Sequence, residues 1–142
     1  ICGDGSEKDN ISKISTSDSN IKFYGYVSGD EKIKILSESD IFVLPSDSEG
    51  MPNVVLEAMA VGLPILTRPV GGIKDFFLNG EHGFITKSKS PEVFATYIAR
   101  LIDDKKLYNY ISLNNKAFAK GKFSPEVVAK RIENIVNKTL IN

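Results

Sequence analysis

Ser46-Asp-Ser-Glu-Gly-Met-Pro-Asn-Val-Val-Leu-Glu-Ala-Met-Ala-Val-Gly62 passes from a polar loop into an apolar run and stops at a glycine. Proline is favoured in the first turn of a helix, where its missing N–H is no loss, and glycine just past the end. The stretch therefore predicts a short helix over about Pro52 to Val61. Upstream, Asp40-Ile-Phe-Val-Leu-Pro45 is a brief β-branched and aromatic run halted by proline, the pattern of a buried strand. The local unit is strand, loop, helix.

Glu57 is the only charged residue between Val54 and Val61. Carboxylates are rarely buried unless paired, so a bound hydroxyl pair, a basic side chain or an exposed helix edge should meet it. Glu49 lies in the loop beside Gly50, where backbone can approach a ligand closely. First-turn N–H groups lack intrahelical acceptors and, with the positive end of the helix dipole, form an anion site. A phosphate at the helix tip with hydroxyls on either side would use all three features, and a nucleotide sugar is such a ligand. The competing reading is bland: a solvated loop glutamate and a glutamate at the wet edge of a helix.

Glu49 and Glu57, with seven residues between them, resemble the E-x7-E signature of retaining GT-B glycosyltransferases, family 4 or group 1. The blocks around them agree in order and spacing: Gly3-Asp4-Gly5, Phe23-Tyr-Gly-Tyr-Val27, Asp40 to Ser46, Pro69-Val-Gly-Gly72, then Gly80 and Gly83. They match the C-terminal, donor-binding half of such enzymes along nearly the whole chain. The resemblance implies a nucleoside-diphosphate sugar donor, a UDP- or GDP-sugar, with no separate cofactor and no metal. It implies that Glu57 accepts hydrogen bonds from the ribose, that Glu49 contacts the donor sugar as the catalytic carboxylate, and that the backbone of Gly50, Met51, Pro52, Asn53 and Val54 holds phosphate and sugar oxygens. Gly3 and Gly5 join the nucleotide site, and Tyr24, Gly25 and Tyr26 are base-site candidates; the two tyrosines serve equally well as core aromatics. The basic Arg and Lys pair that grips the diphosphate in this family belongs upstream of Ile1, as does the acceptor-binding N-terminal domain. Arg68 and Lys74 do not occupy its positions.

The 142 residues fit one domain, a fragment of a longer two-domain enzyme on this reading, since Ile1-Cys-Gly-Asp-Gly5 reads as the end of a strand entering a turn. Lys plus Arg and Asp plus Glu number 18 each, so no broad cationic surface recommends nucleic acid as a partner. A single cysteine, Cys2, excludes an internal disulfide framework. No apolar run approaches the roughly 20 residues that span a bilayer. No cysteine and histidine cluster offers a metal site. By resemblance the parent enzyme works in the cytoplasm at the inner membrane face, with a glycan or glycolipid acceptor.

Short apolar strands alternating with helices predict parallel βαβ units. The expected fold is an α/β, Rossmann-like three-layer domain with a mostly parallel sheet and a truncated first strand. Strands fall near Ile1, Ile21, Ile41, Pro64 and Phe84, that at Ile41 being central. Ser6 to Ser19 predicts a weakly anchored helix, and Gly29-Asp-Glu31 opens another with Asp30 as its cap. Ile73 to Leu78 fits a short helix. Ser90-Pro-Glu92 and Ser124-Pro-Glu126 are strong helix starts, leading to core stripes Val93, Phe94, Tyr97, Ile98, Leu101, Ile102 and Val127, Val128, Ile132, Ile135, Val136. Between them lie Leu107, Tyr110, Ile111 and Leu113. His82, the only histidine, falls between glycines in a turn and is expected to be exposed. Ligands in such sheets bind beyond the carboxyl ends of the strands, so Gly3 to Gly5, Gly25, Ser46 to Gly50 and Arg68 to Gly72 should share one rim. The glycines Gly71 and Gly72 either bring backbone to the helix tip or merely reverse the chain. The isolated chain is expected to bind nucleotide without transferring sugar. A GT-B epimerase or phosphorylase, and a non-catalytic α/β binding module, are the other function classes compatible with these residues.

Overall fold

The computed structural model describes residues 1–140, which divide into two compact units, the first Ile1–Glu38 and the second beginning at Ser39. The first unit carries helices α1 (Lys8–Ser17) and α2 (Gly29–Ser37). Its two expected strands shrink to one parallel bridge between Cys2 and Gly25. The segments are short and largely exposed, and a lone pair of strands has too little apolar face to propagate a ladder. Helix α1 buries no residue, in keeping with its polar sequence, while α2 buries only Leu36 and is capped at Ser28 rather than Asp30.

The second unit runs β1 (Phe42–Leu44), α3 (Asn53–Val61), β2 (Ile65–Thr67), α4 (Ile73–Phe76), β3 (Gly83–Ile85), α5 (Pro91–Asp103), α6 (Lys105–Phe123) and α7 (Pro125–Leu140). All three strands are parallel in the order β1-β2-β3, with Phe42 opposite Ile65 and Ile65 opposite Gly83. The central strand is thus β2, not the strand at Ile41. Every residue of β2 is buried, whereas Val43 of β1 is 39% exposed, as an edge position allows. Gly83 has φ +127°, and a Cβ there would overlap the backbone of Ile65, so only glycine lets β3 come this close.

Helix α3 packs chiefly on α6 and also on β1 and β2, and its Val55, Ala58 and Met59 are fully buried. Full burial of a Val or Met side chain contributes about 1.5–3 kcal/mol, enough to hold a nine-residue helix that would be marginal alone. Pro52 is its extended cap residue and Gly62, at φ 91°, its left-handed terminator. Leu66, Phe84, Phe94, Leu101 and Ile111 form a core cluster, with Ile41, Tyr97, Ile98 and Leu107 against it. Asp104 caps α6 by accepting the Leu107 N–H at 2.9 Å.

One expected core position lies outside it: Ile102, the last of the α5 stripe, is more than half exposed, as are Tyr110 and Leu113 of α6. The α7 stripe is also open: Val128, Ile132, Ile135 and Val136 are exposed. No helix among the described residues is long and apolar enough to cross a membrane.

Candidate functional site

At the carboxyl ends of β1, β2 and β3 the following loops are bound to one another. Thr67 Oγ1 donates to the Leu44 carbonyl at 2.9 Å, and Gly72 N–H donates to the Gly50 carbonyl at 2.7 Å. The Arg68 guanidinium donates from Nη1 to the Ser46 carbonyl at 3.2 Å and from Nη2 to the Lys87 carbonyl at 3.5 Å. It also forms an ion pair with Asp47, whose carboxylate meets Lys89 Nζ at 2.7 Å. Hydrogen bonds from Lys89 and then Arg68 hold the Asp47 carboxyl below its usual pKa.

This arrangement decides between the two readings of the glycines. Gly71 has φ +52°, and a Cβ there would overlap the carbonyl oxygens of Glu49 and Gly50; one on Gly72 would come within 2.8 Å of Met51 Sδ. The 68–72 loop therefore brings backbone against the segment that leads into α3. Glu49 sits in that segment, half-buried, with Gly50 and Met51 exposed beyond it.

Asn53, Glu57 and Ala60 fall on one face of α3, three or four residues apart. They line a cleft of about 410 Å³ together with Leu56, Lys116, Lys120 and the α6–α7 junction at Phe123 to Pro125. Glu57 is half-buried at this edge, so the helix does have a wet side. Glu49 does not line this cleft. The two lysines are absent from the sequence reading; their i, i+4 spacing on α6 was visible, but nothing local shows which face meets α3. The Lys116 stem also lies over Gly62, putting a cation by the negative end of α3, where it is stabilising.

In the first unit Gly3 N–H donates to the Gly25 carbonyl at 2.7 Å and Tyr24 N–H to the Ile1 carbonyl at 2.9 Å. Gly3 and Gly25 take positive φ; Gly5 lies in the following turn. Tyr24 and Tyr26 are 46% and 75% exposed, which removes the core-aromatic alternative for both.

His82 corrects the expectation of an exposed residue: it is 2% exposed. Asn115 Nδ2 donates to the carbonyls of Leu63 at 2.8 Å and of His82 at 3.0 Å. That orientation turns Asn115 Oδ1 toward His82 Nδ1 at 2.8 Å, so Nδ1 carries the proton. The ring lies 4.5 Å from that of Phe118 and 5.7 Å from that of Phe77, centroid to centroid. Burial lowers its pKa, although Asn115 and Glu81 act the other way. This is a structural histidine joining the turn before β3 to α6. No group of three or more metal-binding side chains occurs among the described residues.

The sequence profile of "Glycosyl transferases group 1" matches residues 1–118. The capsular polysaccharide biosynthesis glycosyltransferase CapM of Staphylococcus aureus is 32% identical over 125 residues, covering 88% of this chain and 32% of that protein. Among solved structures, Anabaena HepE in complex with UDP and glucose superposes with TM-score 0.80 at 22% identity, over 96% of this chain and 39% of that one. The C-terminal domain of the group 1 protein LpcC from Francisella tularensis gives TM-score 0.71 at 25% identity, over 83% and 63%. The chain thus spans about a third of the length of CapM. The fold is that of a GT-B glycosyltransferase C-terminal domain. With the profile covering residues 1–118, from the first residue into the last third of α6, this chain belongs to the group 1 glycosyltransferases.

Proposed function

We propose that this chain is the donor-binding part of a retaining glycosyltransferase, moving a hexosyl group from a UDP- or GDP-sugar to an acceptor hydroxyl in polysaccharide or glycoconjugate synthesis. The observation that carries the reading is that the 68–72 loop clasps Glu49 and Gly50 at the mouth of α3, while Glu57, one turn into that helix, edges an open cleft that Glu49 does not line. HepE, with the same fold, holds UDP and glucose. In this reading Glu57 accepts from the ribose hydroxyls, and the amides from Gly50 to Val54 meet the diphosphate and sugar oxygens. Glu49 contacts the donor sugar. As the glycosidic bond breaks, negative charge grows on the leaving diphosphate, and amide dipoles already aimed there stabilise the transition state more than the ground state. By resemblance alone, the turn at Tyr24, Gly25 and Tyr26 and the glycines Gly3 and Gly5 serve the nucleotide. The acceptor, a glycan or glycolipid, belongs to an N-terminal domain of the whole protein working at the cytoplasmic membrane face.

Calorimetric titration of the 142-residue chain with UDP and GDP tests the donor site. One nucleotide should bind, and Glu57→Ala should weaken it about 10- to 100-fold, the loss of hydrogen bonds to a charged group worth roughly 1.5–3 kcal/mol. Binding of neither nucleotide by the folded chain, or binding indifferent to Glu57→Ala, would rule the site out.

A further inference from the structure

We infer that Asp47 is a positioning residue for Glu49, acting through Arg68. The inference rests on the donor-site reading of Glu49 and adds a residue to which that reading gives no role. Glu49 lies between two attachments to the same loop. Two residues before it, Asp47 pairs with Arg68, and one residue after it, the Gly50 carbonyl accepts from Gly72 N–H at 2.7 Å. Both attachments end on residues 68–72, with Gly71 pressed against the Glu49 carbonyl between them. A segment held on both flanks and along its backbone has little freedom left, so the Glu49 side chain projects from a fixed base.

Asp47 and Arg68 are unequal partners. The Arg68 side chain is only 12% exposed, while those of Asp47 and Lys89 are 66% and 69% exposed. An exposed ion pair with Lys89 contributes little. Arg68 is different, because its guanidinium is mostly enclosed and already bonded to the Ser46 and Lys87 carbonyls. Its planar fork therefore reaches two chain segments at once, at Ser46 and Asp47 and at Lys87, which the single ammonium of a lysine is poorly shaped to do. Removing the Asp47 carboxylate leaves that enclosed cation without its negative partner, and the flank before Glu49 is then held to Arg68 by the Ser46 carbonyl alone.

The test is nuclear magnetic resonance relaxation of backbone amides in the unliganded 142-residue chain, comparing Asp47→Ala, Asp47→Asn, Asp47→Glu and Lys89→Ala with the parent. Asp47→Ala and Asp47→Asn should broaden the amides of Glu49, Gly50, Gly71 and Gly72 at least about threefold, while β3 and α6 amides stay as they are. Asp47→Glu should restore most of the sharpness, and Lys89→Ala should change little. Unaltered Glu49 and Gly50 amides in both Asp47→Ala and Asp47→Asn would overturn the inference. So would uniform broadening across the chain in the conservative Asp47→Asn, which marks a merely structural role. Because no nucleotide is present, failure of the donor-site reading in the titration above leaves this outcome separately readable.

Discussion

At the scale of single residues, His82 and the two glutamates carry opposite lessons. Burial favours the neutral imidazole, so in the folded chain His82 titrates below its ordinary value of 6.5. Its contribution to stability is complete above that value. It is lost as pH falls, because the unfolded chain takes up a proton that the folded one resists. The melting temperature should therefore drop between about pH 7 and pH 5, and His82→Gln should melt lower at pH 7 with a flatter profile over that window. An unchanged slope in the variant would assign the pH dependence elsewhere. For Glu49, the expected result is a split: Glu49→Gln in the whole enzyme should lower kcat at least about tenfold, with nucleotide affinity changed much less than by Glu57→Ala. Steady-state kinetics beside calorimetry checks it. Glu57 stood out in the sequence because a lone charge in a greasy helix contradicts its surroundings, and Glu49 by its place beside Gly50 and its spacing from Glu57. His82 did not, since the turn composition around it speaks for exposure and its partner Asn115 lies 33 positions away.

Among elements, the contact between the 68–72 loop and the α3 mouth is the one most open to a steric test. Gly71→Ala adds a methyl that overlaps the Glu49 and Gly50 carbonyls at a positive φ. It should cost about 1–3 kcal/mol from backbone strain alone and abolish nucleotide binding in the same titration. Gly121 is the control: it lies in α6 with open space around its missing Cβ, and Gly121→Ala should raise stability by about 0.5–1 kcal/mol. In α3 itself, Met59→Ala empties a fully buried position and should cost about 2–5 kcal/mol in chemical denaturation. Helix positions were legible to within a residue or two where proline, serine and glycine punctuate the chain, as at Pro91 and Gly62. Strands were less so: β1 and β2 read alike as short apolar runs, and which of them is central depends on pairing partners that local pattern does not name.

Over the whole molecule, burial is concentrated between β2, α3, α5 and α6, while the side chains of residues 128–139 of α7 are exposed. Protection should follow that division. Amides around Ile111 and Leu66 should exchange with solvent only by global unfolding, and those in the second half of α7 several orders of magnitude faster, through local opening. Hydrogen exchange read by mass spectrometry would show it, and equal protection of α6 and α7 would contradict it. The 3.6-residue stripe on α7 is real, yet a stripe states only which side of a helix is apolar and not whether anything covers it.

Chain-local information was enough for the alternation of strand and helix, the short helix at Asn53 and the spacing of Glu49 and Glu57. These follow from backbone restrictions at proline and glycine and from the period of apolar side chains, both of which act over a few residues. Only the folded chain could show that Gly71 touches Glu49, that Asp47 finds Arg68 twenty-one positions on, and that His82 is sealed by Asn115 and Phe118. The first two contacts arise when parallel strands bring distant loops to one rim and the third when α6 packs on the turn before β3, and no residue's own neighbours carry that information.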